Sequence, residues 1–278
     1  VEDGKMEKPA GRKVIFFGGF FLGILILAFT AQNIRAEEIG RACCLKLGLG
    51  YGYWIKGLLN WPVEWRGSSP VVVLSFQKST ERFSHNTKLA FGRSGSISVN
   101  GRRRPGENGF YWLPAEYSFT WHCARNVFRI KRLDWGFGGT AQFMRLRETV
   151  YLQEGESARH WEQYVGLGPN MAFRWQSANS SWTAKMMISF TCFLPYLSRA
   201  GVISDVIPEH SGGLWWLRSG VSISVDRALS KSWVIALVYD RDAVIGARTT
   251  AYKLKASEFI GGGNYLLSHF SMKIGYRW

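Results

Sequence analysis

Within the segment SHFS, Ser268 and Ser271 flank His269 closely enough to suggest a serine–histidine pair. In such a pair the imidazole takes the hydroxyl proton as the oxygen attacks an acyl carbon, and a third group orients the ring. Other candidates for chemistry are weaker. The 278 residues contain five His, 20 Asp/Glu and four Cys. No C-x-x-C occurs, and adjacent Cys43 and Cys44 can hardly bond to each other without strain. Cys123 and Cys192 read as small hydrophobes, and His122 beside Thr120 as a polar face residue. Metal-ligand spacing, a phosphate-cradling glycine loop and usefully spaced carboxylates are all missing, so no metal and no cofactor is expected.

The pair can act only if its element points it at a substrate. Counting back from Trp278, residues Tyr276, Ile274, Met272 and Phe270 share one face of an extended strand. Arg277, Gly275, Lys273, Ser271 and His269 share the other. A period of two is that of β-structure, and one apolar face suits a strand that separates lipid from a watery interior. His269 and Ser271 then point inward. A one-residue slip would turn the whole apolar row into that interior. An enzyme acting on lipid must present its pair to lipid, so acyl hydrolysis is the least favoured reading and no catalytic residue is expected.

The same split recurs along the chain. Leu45, Leu47, Leu49, Tyr51 and Tyr53 oppose Lys46, Gly48, Gly50 and Gly52; Tyr117, Phe119 and Trp121 oppose Ser118, Thr120 and His122. Leu217, Val221, Ile223 and Val225 oppose Arg218, Gly220, Ser222, Ser224 and Asp226. Soluble sandwiches alternate too. Here, however, Trp and Tyr recur where strands end (Tyr53, Trp54, Trp182, Tyr196, Trp215, Tyr239), as at membrane interfaces. The opposite faces carry isolated mid-strand cations, Lys46, Arg174, Lys185, Arg218 and Lys273, which a wet lumen tolerates. The expected fold is therefore all-β, an antiparallel transmembrane β-barrel of about ten strands (eight to twelve). The strands are expected near 44–54, 69–78, 86–99, 114–123, 140–153, 161–176, 181–196, 213–226, 231–241 and 264–278.

Residues 6–36 have the anatomy of a secretory signal peptide: a basic stretch, sixteen apolar residues from 14 to 29, and a cleavage site after Ala36. A leader over 1–36 and one barrel domain over 37–278 are expected. Residues 1–36 hold five Lys/Arg and three Asp/Glu, so a charge of +15 falls to +13 without them. Export makes nucleic acid an unsuitable partner for this basic chain. Outer-membrane lipid and lipopolysaccharide phosphates are the accessible ones. A monomer is expected, with the lumen cations giving a small anion-favouring channel as one alternative and Gly48, Gly50 and Gly52 widening the lumen. On this wet-lumen reading Arg218→Leu should be well tolerated.

The row Phe270, Met272, Ile274, Tyr276 and Trp278 resembles the C-terminal assembly signal of bacterial outer-membrane proteins, which implies recognition by the barrel-assembly machinery. WRGSSPVVVLSF (65–76), RSGVSISVDRALSKSWVIALVYDRDAVIGA (218–247) and the terminal KIGYRW are together similar to the MipA/OmpV family. That resemblance covers about a quarter of the exported chain. It implies a non-enzymatic barrel that serves as a scaffold between the outer membrane and peptidoglycan machinery, with a periplasmic murein transglycosylase as partner. The usual Asp after the Gly-Ser pair is absent, and Arg248 stands where the family has an acid.

Overall fold

Alternating side chains along strands joined by short turns give an antiparallel ladder, and a ladder that meets itself has no edge left to satisfy. A computed structural model shows this. It describes residues 42–57, 64–80, 82–94, 97–103, 109–125, 132–151, 157–178, 181–194, 198–204, 210–213, 216–246, 251–255, 258–261 and 264–278. The leader expected over 1–36 lies outside them. Ten strands form the ring: β1 (Ala42–Gly57), β2 (Glu64–Ser79), β3 (Phe83–Ser94), β4 (Gly109–Arg125), β5 (Leu133–Tyr151), β6 (Ser157–Gln176), β7 (Trp182–Phe193), β8 (Trp216–Ala228), β9 (Trp233–Gly246) and β10 (Asn264–Arg277). Each pairs with its chain neighbours, and β10 closes on β1 from Cys44↔Arg277 to Gly57↔Asn264. Beyond the last ladder residues, the backbones of Cys43 and Trp278 exchange two hydrogen bonds of 3.1 Å.

Several strands exceed the expected lengths, because the alternation runs on past the apolar residues that marked them. Short strands extend the wall further. Ile97–Val99 continues along Trp65–Gly67 of β2, and Arg199–Ser204 pairs with residues 158–163 of β6. A separate hairpin joins Ala251–Lys255 to Glu258–Gly261.

The two ends differ. At one, β2 turns into β3 through Thr80, whose amide donates to the Phe83 carbonyl. There β8 turns into β9 through Ser230, whose Oγ accepts from the amides of Ser232 and Trp233. The start of β1 and the end of β10 lie at this end. Short turns mark the periplasmic side of such barrels and longer connections the outer side.

The outward faces are apolar and exposed: Leu49 is 70% exposed, Leu217 58% and Met272 56%. A continuous belt of this kind is lipid-facing surface. At the short-turn end it finishes in aromatic rings, with Trp121 against Phe137 (5.6 Å) and Trp233 against Tyr276 (5.5 Å). Such a girdle belongs at a membrane interface. Ile223 lies mid-strand on this outer face, paired with Met186 and Tyr239. Ile223→Arg is expected to destabilise the barrel by about 2–4 kcal/mol, the cost of a cation near the midplane. Chemical unfolding in lipid vesicles measures it; a neutral result would show that the outer face does not meet lipid.

Candidate functional site

Every second residue of each strand points inward, and the inward set packs the lumen in tiers. Nearest the long-connection end is an aromatic tier. Trp54, at 0% exposure, stacks on Phe110 with ring centroids 4.1 Å apart, and Trp65, Trp112, Tyr164 and Tyr265 are buried with them. Sequence position beside Tyr53 suggested that Trp54 sits at the membrane interface. The structure corrects this: Trp54 shares the parity of Lys46 and faces the lumen. Glycines make room for these rings. A Cβ on Gly67 would lie 2.5 Å from the Trp54 ring, and one on Gly92 2.1 Å from Trp112 Nε1. Gly52 likewise abuts Trp112, and Gly48 and Gly50 abut Lys273 and Ser271. The glycines of β1 therefore admit neighbours instead of widening a channel.

Within this tier Lys56 Nζ donates to Glu148 Oε2 at 2.7 Å and lies between the rings of Trp65 (5.2 Å) and Tyr265 (5.5 Å). His160 sits between Glu148 and Glu162, its nitrogens 3.7 and 3.3 Å from their oxygens, and Tyr164 donates to Glu162.

The middle tier is ionic. Arg218 Nη2 donates to Glu116 Oε2 at 2.8 Å and Nε to Asp242 Oδ1 at 3.0 Å, while Nη1 reaches Ser189 Oγ at 3.3 Å. Lys88 Nζ donates to Asp240 Oδ1 at 2.9 Å, and His269 Nε2 lies 2.9 Å from the other oxygen of Asp240. Ser271 is fully buried, yet its hydroxyl has no hydrogen-bond partner among the described residues. Ser268 is on the opposite face. The structure thus joins His269 to Asp240 and leaves both serines apart from the imidazole, so the nucleophile–base hydrogen bond of acyl hydrolysis is not formed.

The tier nearest the short turns holds the other expected lumen cations. Lys46 and Lys185 both donate to Asp226 Oδ2, at 2.7 and 3.0 Å. Lys185 also reaches Gln77 Oε1 at 2.8 Å, and Arg174 Nη2 donates to Asp134 Oδ2 at 2.9 Å. Lys273 lines the same space. All five residues, Lys46, Arg174, Lys185, Arg218 and Lys273, lie on the inner face. For Arg218 the environment is not the expected water, since it is 3% exposed and held by carboxylates; the other four line an open space at the short-turn end. Sequence reasoning passed over the inward carboxylates Glu116, Glu148, Glu162, Asp240 and Asp242. The first three share the parity of polar residues in their strands, whereas Asp240 and Asp242 share theirs with Val234, Ala236, Val238 and Val244. Among the described residues no cluster of His, Cys, Asp and Glu could hold a metal ion.

No protein-family model matches the chain, and no curated protein matches it. Among solved structures it is similar to the outer membrane protease OmpT from Escherichia coli, at 7% identity and TM-score 0.51 over 86% of this chain and 96% of that one. It is also similar to the translocator domain of the autotransporter NalP from Neisseria meningitidis, at 9% identity and TM-score 0.44 over 95% and 96%. A third is Neisserial surface protein A, at 8% identity and TM-score 0.37 over 85% and 98%. With the closed ten-strand ring and its apolar belt, the first likeness gives the fold: the chain has the fold of the bacterial outer-membrane β-barrels.

Proposed function

We propose that this barrel is a non-enzymatic structural protein of the outer membrane, a scaffold whose lumen does not conduct. The observation that supports this reading is the filled lumen. Ten strands leave little room once side chains enter, since about eight already close on themselves. Here the aromatic tier and the Arg218 tier lie one above the other across that space. An anion channel would need the lumen cations to face water, whereas Arg218, Lys46 and Lys88 are engaged by carboxylates.

The outer wall supports contact with lipopolysaccharide. On β3 to β6, Arg93, Tyr111, Arg147 and Trp161 form one cross-strand row, with exposed Arg145 and Arg159 beside it. The row lies toward the long-connection end, where guanidinium groups suit phosphates. The opposite end would carry the scaffold's contact with peptidoglycan machinery, a murein transglycosylase being the partner implied by the family resemblance.

In planar bilayers the folded wild-type barrel is expected to be silent, with heat-modifiable gel mobility confirming closure. Discrete anion-selective steps would replace the scaffold with a channel. For the partner, a photo-crosslinker in place of exposed Lys231, in the β8–β9 turn, should capture a murein transglycosylase in intact cells. Its consistent absence from the crosslinked products would remove that part of the proposal.

A further inference from the structure

At the short-turn end the lumen keeps an open space of about 110 Å³. One water needs about 10–15 Å³ on this measure, so a guest of several heavy atoms fits. Ser79 and Ser84, which flank the β2–β3 turn, line it, and the space therefore reaches the periplasmic end. Five cations line it and, among the described residues, no carboxylate does. Two of the five are balanced: Lys88 by Asp240 and Arg174 by Asp134. The other three are not. Lys46 and Lys185 share the single carboxylate of Asp226. Lys273, a residue only 4% exposed, makes no hydrogen bond or ion pair among the described residues, and the carboxylate that attracts it most, Asp240, is already held by Lys88. Three ammonium groups set against the carboxylate of Asp226, with only a share of Asp240 for Lys273, leave the wall of this space with a positive excess.

The excess is built in. On the β1–β10 seam Lys46 pairs with Gly275 and Gly48 with Lys273. A Cβ on Gly275 would lie 2.6 Å from Lys46 Cγ, and one on Gly48 would lie 2.5 Å from Lys273 Cγ. Each lysine stem is thus laid across a glycine of the partner strand. Unpaired buried charge is costly, and an arriving dianion would offset it. Ammonium and hydroxyl donors converging from several strands, here with Ser75 and Ser224 at the wall, suit the tetrahedral oxygens of phosphate.

We propose that this cavity binds a phosphate group, free or carried on a small ester, that enters from the periplasm. The test is calorimetric titration of the full chain folded in detergent with inorganic phosphate, at constant ionic strength and with chloride as the blank. Saturable binding is expected. Lys273→Met and Lys185→Gln should each weaken it about ten- to hundredfold, the loss of one charge-assisted hydrogen bond. Lys231→Met, in the exposed turn, should not. Heat-modifiable mobility shows that each variant is folded, and if Lys273→Met fails to close, Lys185→Gln carries the comparison alone. Titration with sn-glycerol 3-phosphate separates the sources. Tighter binding than inorganic phosphate assigns the site to a phosphomonoester such as a lipid-derived headgroup, and weaker binding assigns it to the free ion. Heats no larger than the chloride blank, or folded lysine variants that bind like wild type, would overturn the proposal.

Discussion

Arg218→Leu is expected to destabilise the folded barrel by about 3–5 kcal/mol, the cost of breaking a buried ion pair from one side. This reverses what the sequence alone suggests for the site. A lumen arginine in water could be lost cheaply, but Arg218 is buried and bridges Glu116 and Asp242. Without it, two carboxylates remain in the interior with no cation between them. The triple variant Arg218→Leu, Glu116→Gln, Asp242→Asn should recover most of the loss, because neutral groups of similar shape need no counter-charge. Denaturant unfolding of the refolded protein, followed by tryptophan fluorescence, measures both. A loss below about 1 kcal/mol, the ordinary worth of an exposed pair, would mean that the lumen is wet after all.

The second large effect is expected at the seam. Gly50 of β1 faces Ser271 of β10, and a Cβ there would lie 2.1 Å from the Phe270 carbonyl oxygen and 2.7 Å from Ser271 Cα. Those are backbone atoms, so no rotamer change relieves the overlap and the two strands must part. An unclosed pair of edges in lipid leaves backbone groups unsatisfied at several kcal/mol each. Gly50→Val should therefore abolish most of the closed, heat-modifiable form. Gly57→Val, in the same strand but with nothing within 4 Å of its Cβ, should assemble normally. Equal assembly of the two variants would show that the ring does not close through this register.

The ring itself was legible because it rests on local pattern. Alternation in β1, β8 and β10 is continuous, and parity alone assigns Lys46, Arg218 and Lys273 to the inner face. The filling of the lumen was not legible, since it depends on which tiers coincide across the barrel. Arg218 and Glu116 are 102 residues apart, and Lys88 and Asp240 are 152 apart. No local period reports such a meeting. Trp54 carried two conflicting signals, its place beside Tyr53 and its parity with Gly52; parity prevailed because a β-strand cannot turn one side chain alone. The glycines misled for a related reason. A missing side chain leaves room, but only the neighbouring strand decides what fills it, as Trp112 does against Gly52 and Gly92.

The ion pairs also join strands that are far apart around the ring. Arg218 on β8 holds Glu116 on β4, Lys88 on β3 holds Asp240 on β9, and Lys56 on β1 holds Glu148 on β5. Ladder hydrogen bonds resist only the separation of neighbours, and a cylinder held by these alone can flatten into an oval. Contacts across the diameter act as spokes and oppose that flattening directly. The cylinder should respond to lateral pressure from the bilayer as a stiff rod, tilting before it deforms. The spokes also carry no tension until the circle is complete. A half-closed ring gains nothing from them, so they sharpen closure into a single concerted event.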